Sequence, residues 1–154
     1  MGLHEGARIS IGTDHAGRDL KDLLSRHLSK LGYLVIDHGT SVPGSVDYPD
    51  MAHPVAADVA EGRSDMGVVI CGSGNGVNMV ANKHSGVRSA LAWRPDVAAL
   101  AREHNAANVL ALPARFIDGD EAIAILDAFL KANFEGGRHE RRVAKIERLS
   151  HSLP

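Results

Sequence analysis

The apolar run Met66-Gly67-Val68-Val69-Ile70 leads directly into Cys71-Gly72-Ser73-Gly74-Asn75-Gly76, and a helical pattern follows over 77–83. A buried strand that ends in a glycine-rich turn and opens a helix is a unit of α/β architecture. The rest of the chain repeats the alternation. Strand patterns occupy 8–12, 34–37, 66–71, 89–93 and 109–112, and segments with helical spacing lie between them. Leu20, Leu23, Leu24, Leu28 and Leu31 share one helical face, with Gly32 as the stop. The stretch 39–50 is rich in Gly, Pro, Ser and Asp and reads as a loop. Met51, Val55, Ala56 and Val59 then mark a second helix, ending near Gly62. Pro95 opens a helix with Val97, Leu100 and Ala101 on one face. Ile123, Leu126, Phe129 and Leu130 form an amphipathic helix ending near Gly136-Gly137. A last helix, from about His139 to Leu149, carries Val143, Ile146 and Leu149 on one stripe and is a candidate for packing on a second copy of the chain. The pattern predicts one α/β domain with a mainly parallel sheet.

A chain of 154 residues with 44% hydrophobic content can bury a sizeable single core. Residues 1–6 read as a short flexible leader, with neither a signal-peptide core nor the Ser/Thr of a myristoylation signal. The formal charge of −2 shows no overall attraction to nucleic acid or membrane, although Arg138, Arg141, Arg142, Lys145 and Arg148 cluster late in the chain. One cysteine forms no intrachain disulfide, which fits a reducing cytoplasm. No apolar run reaches the roughly 20 residues that span a bilayer.

Two glycine motifs stand at strand ends, and neither satisfies a nucleotide fingerprint. Gly12-Thr13-Asp14-His15-Ala16-Gly17 has the outer glycines of a P-loop, but Arg18-Asp19 stands where Lys-Ser/Thr is required. It is either a tight strand-to-helix turn or a ligand loop carrying Asp14 and His15, at the edge where open α/β sheets bind ligands. Gly72-x-Gly74 is followed by Gly76 and Val77, so the third glycine of a dinucleotide site is misplaced. Cys71 is either an inert buried strand residue or a reactive thiol. The polar turn beside it supplies backbone N–H groups and a helix start, which bind anions and favour the thiolate form of a cysteine placed there. His104 by itself reads more readily as a helix-end or packing residue than as an acid/base. Arg138 and Arg142, four apart, are either a solvated basic face or a phosphate clamp. His4, His27, His38, His53, His84 and His151 have no metal-motif spacing.

Together these residues resemble the type B ribose-5-phosphate isomerases, a family that includes allose- and galactose-6-phosphate isomerases. The resemblance rests on Gly12-Thr13-Asp14-His15-Ala16-Gly17, Asp47-Tyr48-Pro49, Cys71-Gly72-Ser73-Gly74-Asn75-Gly76, Ala81-Asn82-Lys83, Arg102-Glu103-His104-Asn105 and Glu135-Gly136-Gly137-Arg138-His139, in family order over nearly the whole chain. It implies a Rossmann-like three-layer sandwich with a five-stranded parallel sheet and an extended C-terminal helix. It also implies a cytoplasmic homodimer with shared active sites, or a tetramer built from two, and reversible aldose–ketose isomerisation without metal or cofactor.

By the same resemblance, Cys71 moves a proton between C1 and C2, and N–H groups from Gly72 to Gly76, including Gly74 and Asn75, stabilise the enediolate oxyanion. Ser73 assists proton movement, and His104 opens the furanose ring. Asn105 binds the intermediate, Asp14 holds sugar hydroxyls and Tyr48 lines the pocket. His15, Arg115, Arg138 and Arg142 are candidates for the phosphate. Some relatives lack the cysteine and place a glutamate base one residue after Asn-Gly; Val77 at that position puts this chain with the cysteine type. Ribose 5-phosphate and ribulose 5-phosphate are the expected substrates. A hexose 6-phosphate or tetrose 4-phosphate would use the same chemistry, and a non-catalytic sugar-phosphate-binding module is the alternative of another class.

Overall fold

A computed structural model describes residues 3–147. Its elements alternate as expected: β1 (Arg8–Thr13), a 3-10 turn (His15–Gly17), α1 (Arg18–Lys30), β2 (Leu34–Asp37), α2 (Tyr48–Ala60), β3 (Met66–Cys71), α3 (Asn75–Ala81), β4 (Ser89–Leu91), α4 (Pro95–Asn105), β5 (Val109–Pro113), α5 (Gly119–Lys131) and α6 (Arg138–Ile146). The five strands form one parallel sheet in the order β2-β1-β3-β5-β4. Helices cover both faces, so β3 is buried at all six positions.

Alternation along the strands sorts the core into two layers. Ile9, Ile11, Val68, Ile70, Leu110 and Leu112 point to the face covered by α1, α4 and α5, against Leu24, Leu28, Ala98, Leu126 and Phe129. Val69, Cys71, Val109 and Ala111 point the other way, onto Ala52, Val55 and Ala56 of α2 and Val77 and Ala81 of α3. The thiol therefore belongs to the α2/α3 layer. On that face α2 lies close to the sheet because Gly12 and Gly67 carry no side chain. A Cβ at Gly12 would sit 2.7 Å from the Met51 carbonyl oxygen, and one at Gly67 would sit 2.9 Å from Val55.

Several boundaries differ from the expected ones. The second helix begins at Tyr48, inside the expected loop, because Pro49 occupies its first turn, where a missing N–H costs nothing. The fourth strand stops at Leu91, and only the Ala92 N–H still reaches the sheet, at the Ala111 oxygen. The helix expected to reach Gly136-Gly137 ends at Lys131, leaving an irregular segment before α6. Within the leader, Leu3 packs against the core and the Gly6 N–H donates to the Gly32 oxygen at 2.9 Å. The expected end of the last helix at Leu149, and the basic residue Arg148, lie outside the described residues.

Among the described residues of α6 only His139 is buried; the expected stripe residues Val143 and Ile146 are half-buried and exposed. No helix among the described residues is long and apolar enough to cross a membrane.

Candidate active site

The strand order sets the site. β1 passes to β2 on one side, whereas β3 continues toward β4 and β5 on the other. The C-terminal ends of β1 and β3 therefore flank the crevice where open α/β sheets bind ligands. Thr13 pairs with Ile70, so the residues that follow, Asp14 and Cys71, emerge side by side.

Each residue at this edge is fixed by a local device. Asp14 is buried, its N–H donates to the Ile70 oxygen, and its Oδ1 accepts the Ala16 N–H at 2.9 Å, capping the 3-10 turn. His15 is exposed, and its Nδ1 accepts the Val46 N–H at 3.3 Å. Arg18 donates through Nη2 to the Val42 and Gly44 carbonyls, each at 2.5 Å, which ties the loop before α2 to the start of α1. Arg18 counted against a P-loop in the sequence; its positioning role depends on partners more than twenty residues away and left no local signal.

The loop after β3 wraps the thiol. Cys71 Sγ is buried and accepts the Gly74 N–H at 3.2 Å, and Ser73 Oγ accepts the Asn75 N–H at 3.3 Å. Gly74 has φ +74°, and a Cβ there would meet Leu91 at 2.4 Å. A Cβ on Gly76 would meet the Tyr48 ring at 2.6 Å, so this glycine lets Tyr48 close over the loop. Arg115 lies across Gly72, near enough that a Cβ there would be 3.0 Å from Cζ, while its N–H donates to the Gly72 oxygen. Beside the loop, Ser73, Leu91, Trp93, Pro113 and Phe116 line a recess of about 310 Å³.

The remaining predicted residues lie at the opposite edge. β4 and β5 run parallel, so α4 returns from the C-terminal edge and delivers His104 and Asn105 to the N-terminal one. There Asn108 donates to the Arg88 oxygen and accepts the Gly67 N–H, marking the strand starts. Glu135 N–H donates to the Glu103 oxygen, bringing the segment before α6 onto the same end. The His104 ring stacks on His139 at 4.2 Å, nearly parallel. Glu135 Oε2 lies 3.7 Å from His104 Nε2 and 3.5 Å from His139 Nε2. His139 is buried and its Nε2 has no hydrogen-bond partner. Burial, reinforced by His104 and Arg138, pushes its pKa down. Arg138 and Arg142 are exposed and make no ion pair among the described residues. Asn105, Arg88, Ser89 and Ile146 border a cavity of about 620 Å³.

One chain thus gathers Asp14, His15, Tyr48, Cys71, Gly72, Ser73, Gly74, Asn75, Gly76 and Arg115 at one edge. It places His104, Asn105, Arg138 and Arg142 at the other. The six residues of β3 separate the edges by roughly 20 Å. Glu135 and His139 enter the sequence reading only as parts of a motif, with no chemical role assigned; their contact with His104 passes through an irregular segment that helical spacing does not encode.

Comparisons agree with this architecture. The family model described as Ribose/Galactose Isomerase matches residues 9–146. A probable ribose-5-phosphate isomerase B of Mycoplasma genitalium is 49% identical, over 91% of this chain and 93% of the relative. Ribose-5-phosphate isomerase B of Escherichia coli is 44% identical, over 90% and 93%. The crystal structure of the Mycoplasma genitalium enzyme with bound ribulose-5-phosphate superposes with a TM-score of 0.92 at 47% identity, over 97% of this chain and 100% of that one. The Clostridium thermocellum ribose-5-phosphate isomerase B superposes with 0.89 at 48% identity, over 91% and 95%.

Proposed function

The chain belongs to the ribose/galactose isomerase family, and on that premise we propose that it is an aldose–ketose isomerase interconverting ribose 5-phosphate and ribulose 5-phosphate. The observation that carries the mechanism is the thiol of Cys71, held at a ligand-binding strand end by the Gly74 N–H. As the thiolate it removes the C2 proton of the open-chain aldose. The electron pair forms the C1–C2 double bond, and the C1 carbonyl oxygen becomes the enediolate oxyanion. Backbone N–H groups of the Gly72–Gly76 loop stabilise that charge. The proton returns from Cys71 to C1 and the O2 proton passes to O1, with Ser73 beside the thiol as the relay, which leaves the ketose.

Ring opening of the closed aldose needs a second acid/base, and that is His104. Asp14, Tyr48 and Asn105 hold the sugar, while His15, Arg115, Arg138 and Arg142 hold the phosphate, a remote handle that orients the reacting carbons. Because Cys71 and His104 sit at opposite edges of one sheet, both act on one substrate only where two chains meet. The reading therefore includes a homodimer with shared sites. Cys71→Ala is expected to abolish turnover in a coupled isomerase assay while ribose 5-phosphate still binds in calorimetry. Near-normal turnover in that variant would remove Cys71 as the base.

A further inference from the structure

We propose that His104, Glu135 and His139 form a site for one first-row divalent cation of the zinc class, and that filling it withdraws His104 from ring opening. The second half rests on the functional reading above; the first does not. The three donors come from separate pieces of backbone: the end of α4, the irregular segment after α5, and the first turn of α6. Their ligand atoms all lie within 4.8 Å of one another, and the shared carboxylate oxygen is 3.5 and 3.7 Å from the two Nε2 atoms. Ligand atoms on a tetrahedral zinc ion, with bonds of about 2.0–2.2 Å, stand about 3.3 Å apart. Two histidines and a carboxylate with an open fourth position are a donor set that zinc takes in proteins.

An independent observation points to the same spot. His139 Nε2 is buried, lacks a hydrogen bond and faces the Glu135 carboxylate. An orphan buried nitrogen costs stability, and a cation would satisfy it. The imidazole rings stand parallel, so a shared ion requires them to splay. His104, about one-third exposed, has the freedom to turn, whereas His139 is enclosed. Arg138 and Arg142 face His139 with positive charge and oppose a dication, which makes the Glu135 carboxylate the decisive donor.

Cobalt(II) titration of metal-free protein, read by its visible d–d absorption, tests the site, with zinc displacing the cobalt. One equivalent with tetrahedral-type bands is expected in the wild type. Binding should weaken roughly tenfold or more in Glu135→Gln and His139→Ala. It should persist in His53→Ala, which removes half of the other close histidine pair, His53 and His84 at 2.8 Å. Absent bands, bands undiminished in folded Glu135→Gln, or bands lost only in His53→Ala would each overturn the site. Zinc should also slow turnover from ring-closed ribose 5-phosphate more than from open-chain ribulose 5-phosphate, reversibly by chelator and not in Glu135→Gln. Equal inhibition from both substrates, with the cobalt signal intact, overturns the link to ring opening. An intact cobalt signal in a wild type without isomerase activity overturns the functional reading alone.

Discussion

At the scale of single residues, the space around Cys71 is set by what its neighbours lack. Gly76 has room for Tyr48 because it has no Cβ, the added atom falling 2.6 Å from the ring. Gly76→Ala must push Tyr48 outward or tilt the start of α3 away from the thiol loop. Overpacking of this kind typically costs about 1–3 kcal/mol. We expect Gly76→Ala to lower kcat/KM at least tenfold while lowering Tm by only a few degrees, because Tyr48 is itself partly exposed. Unchanged kinetics would remove Tyr48 from the pocket wall. The strand–thiol–turn arrangement around Cys71 was legible in the sequence, since the three are contiguous there. The Tyr48 contact was not, because the loop before α2 hides how the ring returns to residue 76.

At the scale of elements, α2 is fastened to the sheet by Asp58 as well as by apolar contacts. Ser10 Oγ donates to Asp58 Oδ2 at 2.7 Å, His38 Nε2 lies 2.6 Å from the same oxygen, and Arg63 Nε donates to Oδ1 at 2.7 Å. Burial alone would raise the Asp58 pKa, but the hydrogen bonds from Ser10, His38 and Arg63 outweigh it and hold the value at about 2. The folded value lies below the unfolded 3.8, so this stabilisation is fully present above about pH 4 and fades as pH falls toward 2. It amounts to about 2 kcal/mol. The urea midpoint should therefore fall between about pH 4 and pH 2, and that part of the fall should be missing in Asp58→Asn, which starts less stable. An identical acid slope in the variant would assign the loss to other carboxylates. The strands 34–37 and 66–71 were readable to the residue because apolar runs and glycine stops bound them. The Asp58 cluster was not, since it joins four separated segments through side chains with no periodicity.

At the scale of the whole molecule, parallel strands impose a polarity that a single chain cannot escape. Residues following strands gather at one edge, as Asp14 and Cys71 do, and residues ending the return helices gather at the other, as His104 and Asn105 do. The list of candidate residues came from motifs in sequence order; their division between two edges required the strand order, which motif spacing does not carry. The proposed chemistry needs both halves on one sugar, and α6, exposed along almost its whole length, presents Arg138 and Arg142 beyond the chain's own core. Subunit mixing tests this directly. Cys71→Ala and His104→Ala chains are each expected to be poor catalysts of ribose 5-phosphate conversion. When they are unfolded together and refolded, half of the dimers pair one chain of each kind. With shared sites, in which Cys71 and His104 come from different subunits, one site of such a dimer receives both lesions and the other receives neither. Activity should then recover to roughly a quarter of the wild-type value, the statistical share of intact sites in a two-fold dimer. Mixing without recovery, with dimers confirmed by sedimentation, would place both residues' function within one subunit and overturn the shared site.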